Sequence, residues 1–145
     1  MTESINNLPV VISSLGAVAV ILYKIITIVK NKTNLKKEKI IENCFGEPMY
    51  TNIFSISEAR EWIKSRESLL KNGEKATIVK VNHETLRSLG QDLDIGNSVD
   101  NYIVIAIINQ ETNEISDSVL IKYESLDSKL EKVLQKGNGV LVVEV

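Results

Sequence analysis

Between residues 8 and 29 the chain is apolar almost without interruption, and Lys24 is the one charge within it. As a helix at about 1.5 Å per residue this stretch reaches about 33 Å, enough for a hydrocarbon core of about 30 Å. The one-sided spacing of a helix packed on a soluble core is missing. The pattern therefore predicts a single membrane-spanning helix over 8–29. Residues 1–7 carry Glu3 and no Lys or Arg, so they lack the basic start of a secretory signal. Lys30, Lys32, Lys36, Lys37 and Lys39 follow the apolar run. A basic flank of this kind faces the cytoplasm. It predicts a cell-membrane location, a short outer N-terminus over 1–7 and a cytoplasmic C-terminal part. Lys24 lies close enough to that side for its stem to snorkel.

Beyond the apolar run the period changes. Residues 30–50 read as a basic stalk, punctuated by Gly46 and Pro48. Ser55 and Glu58 match a capping box, and Ile56, Ala59, Trp62, Ile63, Leu69 and Leu70 recur at helical spacing. Residues 75–81 form a strand pattern through Ala76, Ile78, Val79 and Val81. A short helical turn over 83–89 and a polar loop over 91–101 follow. Residues 102–108 are all apolar and predict a strand buried on both faces. A hairpin over 109–114 leads into a return strand over 115–123. Ser125 is the expected cap of a helix that shows Leu126, Leu130, Val133 and Leu134 on one face. Residues 140–145 complete the sheet. The order is α-β-α-β-β-α-β. It describes an α+β domain over 51–145 with a mixed four-stranded sheet and two to three helices.

Composition narrows the chemistry. The 145 residues, 43% hydrophobic and 25% charged, suit one modest globular domain and an appendage. The net charge is −2, and basic residues concentrate in the stalk, which argues against a nucleic-acid partner. One cysteine, Cys44, and one histidine, His83, allow neither a disulfide framework nor a His/Cys metal centre within one chain. A Cys44–His83 nucleophile and base pair would need a third orienting group, and Cys44 is expected outside the packed domain. The loop with Asp92, Asp94 and Asp100 resembles a calcium loop only loosely. Counted from Asp92, the glycine position holds Asn97 and the glutamate position holds Ile103. Phosphate, dinucleotide and hydrolase motifs are absent, so no catalytic residue, cofactor or metal is expected.

Two features point to partners. On a helical wheel Ser13, Ala17, Val20, Lys24 and Thr27 fall on one stripe with the spacing of a heptad seam, a possible helix-association face. The five stalk lysines suit anionic lipid headgroups. The expected function is a membrane-anchored cytoplasmic interaction or assembly module without catalytic activity of its own. Its partners would be the bilayer and another membrane or cytoplasmic protein, or a second copy. Two alternatives are a membrane-permeabilising, holin-like protein and a small enzyme that uses His83, Asp92, Asp94 and Asp100.

Overall fold

A computed structural model describes residues 10–11, 40–71, 74–81, 101–109, 111–112, 114–137 and 139–143. In chain order the elements are β1 (Val10–Val11), α1 (Ile40–Phe45), β2 (Met49–Phe54), α2 (Ile56–Lys64), α3 (Glu67–Lys71), β3 (Lys75–Val81), β4 (Tyr102–Asn109), β5 (Glu114–Leu126), α4 (Ser128–Lys136) and β6 (Val140–Val143). They form an α+β fold around one mixed sheet in the order β1-β6-β3-β4-β5-β2. Strands β3, β4 and β5 make an antiparallel meander. β6 lies antiparallel to the outer side of β3, and β2 lies parallel to the outer side of β5.

The sheet thus has five strands of four residues or more and not four. The added strand is β2, part of which was expected to be stalk. Of its six residues only Phe54 is buried, so the strand carries no clear alternation to read. The stalk also contributes α1, and its Cys44 is 4% exposed, contrary to the expectation of a cysteine outside the packed domain.

Local chemistry sets the helix ends. The Ser55 hydroxyl accepts from the Glu58 N–H at 3.1 Å, and the Glu58 carboxylate accepts from the Ser55 N–H at 3.3 Å. This is the predicted capping box. The helix was expected to run on to Leu70, but it breaks at Ser65 and Arg66. The Trp62 carbonyl, which a continuing helix would offer to the Arg66 N–H, accepts the Ser65 hydroxyl at 2.7 Å and the Arg66 guanidinium at 3.3 Å. The Arg66 N–H turns to the Ile63 carbonyl instead.

A second correction concerns α4. Its cap is Asp127, and Ser125 stays in β5 opposite Ile53. One Asp127 oxygen accepts from the Leu130 N–H at 2.8 Å, the other from the Ile56 N–H at 3.4 Å. The Asp127 N–H in turn donates to the Phe54 carbonyl at 3.0 Å. One residue therefore fixes the starts of both α2 and α4 beside the end of β2.

Strand alternation divides the sheet side chains into two faces. On the first, Ala76, Ile78, Ile103, Ile105, Ile107 and Ile121 pack against Ala59, Ile63 and Leu70 of α2 and α3 and against Leu130 and Leu134 of α4. The registers place Thr77, Val79, Val104, Ala106, Leu120, Val140 and Val142 on the second face. These are buried as well. β4 is covered on both sides, as its unbroken apolar run predicts.

The N-terminal stretch begins unlike a helix. Val10 and Val11, within the predicted span, are extended and pair with Val143 and Val142. The rest of that span and the lysines of the stalk, residues 12–39, lie outside the described residues. Among the described residues no helix is long and apolar enough to cross a membrane.

Candidate interaction surface

β2 is an edge of the sheet among the described residues, with β5 on its inner side. Its sequence is bounded by Pro48 and by the Ser55 cap, which limits it to six residues. Met49, Tyr50 and Ile53 are 60%, 73% and 55% exposed, and they are the large hydrophobic side chains that stand out to solvent among the described residues. They stand on both faces of this edge, Met49 beside Ile121 and Tyr50 beside Lys122, so both faces of the strand carry exposed apolar surface. The backbone of an edge strand also offers one row of N–H and C=O groups to a further strand.

Beside this edge lies a recess of about 450 Å³. Met49, Phe54, Trp62 and Ile121 supply its apolar lining, and Glu58 and Glu61 supply its charge. Among the described residues no Lys or Arg lines it. Trp62 is half-buried against the core, and the Arg66 guanidinium lies 3.9 Å from its ring centroid. Arg66 is held in turn by Asp117, with 2.7 Å between Nε and Oδ2. The indole is thus fixed by a cation–π contact whose cation is itself tethered. A ring expected to be plain core also forms a wall of the recess.

A second polar cluster lies at the start of β4. The Tyr102 hydroxyl donates to Glu42 Oε1 at 3.3 Å, and Lys122 Nζ lies 5.5 Å from the Tyr102 ring centroid. Burial pushes the Tyr102 phenol up to about 12, and the Glu42 carboxylate adds to the shift. A raised phenol pKa means that the fold favours the neutral form. The stability this contributes is complete below the ordinary value of 10 and is lost as pH rises toward about 12. Ultraviolet titration of the full chain is expected to show a phenolate step near pH 12 that Tyr102→Phe removes. Loss of a step near pH 10 in that variant would instead mean a solvated phenol.

The candidates read from the sequence lie elsewhere. Ser13, Ala17, Val20, Lys24 and Thr27, the five stalk lysines, His83, Asp92, Asp94 and Asp100 are all outside the described residues. Among the described residues no group of three His, Cys, Asp or Glu side chains is placed to hold a metal. Sequence reasoning missed Met49, Tyr50 and Ile53. The available signal was a short run rich in apolar and aromatic residues between Pro48 and Ser55, a strand signature in length and bounds. In comparisons with known proteins the chain matches no family model, no curated protein and no solved structure.

Proposed function

We propose that this chain is an interaction or assembly module without catalytic activity of its own, and that it captures an extended segment of a partner protein beside β2. The observation that carries this reading is the exposed trio of Met49, Tyr50 and Ile53 on an edge strand. Strand addition explains why the apolar side chains and an edge backbone row, unpaired among the described residues, occur together: the ladder supplies affinity and the neighbouring recess supplies selectivity. The lining of that recess defines the partner's chemistry. Apolar side chains of the segment would enter between Phe54, Trp62 and Ile121, and a Lys or Arg would meet Glu58 and Glu61.

A displayed library of short peptides, panned on the full chain, tests this. Segments that alternate apolar and basic residues are expected to be enriched. Ile53→Lys is expected to weaken the best of them at least tenfold while leaving the thermal midpoint unchanged, since substitutions at exposed positions usually stay within about 0.5 kcal/mol. Absence of any enriched extended peptide would overturn the reading. So would equal binding by the Ile53→Lys chain.

A further inference from the structure

The recess beside β2 holds two carboxylates, and they are not equivalent. Glu58 and Glu61 stand one helical turn apart on α2, on the side that lines the recess. Glu58 is committed to the capping box, where its Oε2 accepts from the Ser55 N–H at 3.3 Å. The Glu61 side chain makes no ion pair and no hydrogen bond among the described residues. Its charge is left for a ligand. Around it the lining is aromatic and apolar, with Tyr50, Phe54 and Trp62 beside Met49 and Ile121.

A carboxylate among such walls discriminates between the two basic side chains. A lysine ammonium is a compact, strongly hydrated charge, and apolar walls cannot replace the water it gives up. An arginine guanidinium is more weakly hydrated, stacks on aromatic faces and meets a carboxylate through two parallel N–H donors. The chain already uses this indole in that way, since the Arg66 guanidinium lies 3.9 Å from the Trp62 ring centroid. Arg66 also raises an obstacle, because a second cation has to approach a ring that already carries one. Asp117 lowers it. Its Oδ2 lies 2.7 Å from Arg66 Nε, so the carboxylate offsets the guanidinium charge and holds it in place. The Trp62 carbonyl accepts a further Arg66 N–H at 3.3 Å. Glu58 and Glu61 are then left to set the sign of the recess.

We propose that the recess takes an arginine side chain of the captured segment in preference to a lysine. Glu61 is the residue that reads it, and Asp117 is a positioning residue that acts through Arg66 on Trp62. This inference rests on the capture of an extended segment beside β2 and adds the identity of the side chain that anchors it.

Three displayed libraries of short peptides, alike except for a fixed central Arg, Lys or Gln, test it when panned on the full chain. The Arg library is expected to give the strongest enrichment. Exchange of that Arg for Lys in the best peptide should weaken binding, read by fluorescence anisotropy, by about tenfold or more. Glu61→Gln should weaken the Arg peptide by about the same factor and leave its Gln counterpart unchanged. Asp117→Asn should weaken the Arg peptide by about threefold, again without effect on the Gln counterpart. An equal loss for both peptides would mean that Asp117 only supports the fold, and would overturn its positioning role. Equal enrichment from the three libraries would overturn the inference and leave segment capture standing. So would a Glu61→Gln chain that still prefers arginine. Enrichment from none of them would remove segment capture, and this inference with it.

Discussion

Replacing Ile105 with Ala is expected to destabilise the domain by about 2–5 kcal/mol, the range for emptying a fully enclosed branched side chain. Ile105 is 0% exposed on β4, the strand with β3 and β5 on its two sides. Its cross-strand neighbours are Ile78 and Val119. Its side chain shares a core cluster with Ile63 of α2 and Leu134 of α4. Strand and helices both meet at this point, so neither can close the void without disturbing the other. Urea unfolding followed by Trp62 fluorescence measures the change. A loss below about 1 kcal/mol would mean that the helices do not bear on the centre of the sheet.

Asp127→Ala is expected to cost about 2 kcal/mol, the upper end of the range for a single helix cap. The excess over a typical cap comes from the second oxygen. It serves the Ile56 N–H at 3.4 Å while the first serves the Leu130 N–H at 2.8 Å. Asp127→Asn separates the two contributions. The amide oxygen still caps α4, because Asn and Asp are comparable N-caps. The amide nitrogen, a donor, then faces the Ile56 N–H, also a donor. The Asn chain should therefore recover roughly half of the loss. Full recovery by Asn would show that the bond to Ile56 contributes nothing.

These two positions differ in how far the sequence reveals them. Ile105 lies in the unbroken run over 102–108, which can only be an interior strand, and Ser55 with Glu58 specifies its cap by local spacing. Such features depend on residues a few places apart. Asp127 does not. Ser125 is as good a cap by type, and Asp127 wins because β5 extends through Leu126 along β2. The edge strand was hidden for the same reason. Whether Met49, Tyr50 and Ile53 are covered depends on which strand comes to lie beside them, and their partners Ile121, Lys122 and Ser125 are each 72 residues away. The apolar stretch presents a different difficulty. A run apolar on all sides reads identically whether lipid or protein surrounds it.

The parallel pairing of β2 with β5 has a consequence during synthesis. The ribosome makes Met49 72 residues before the Ile121 it lies beside. At about 5–20 residues per second, β2 waits roughly 4–14 s for its neighbour. Over that interval β5 is not there to pair with it, so the backbone row that β5 will take is open as well. The β3–β4–β5 meander joins neighbours in sequence, so it has the shorter loops to close, and β2 is the natural last arrival. A newborn chain thus offers the same six residues to any passing strand before it can offer them selectively, and crowded polysomes are where mispairing of this protein would begin.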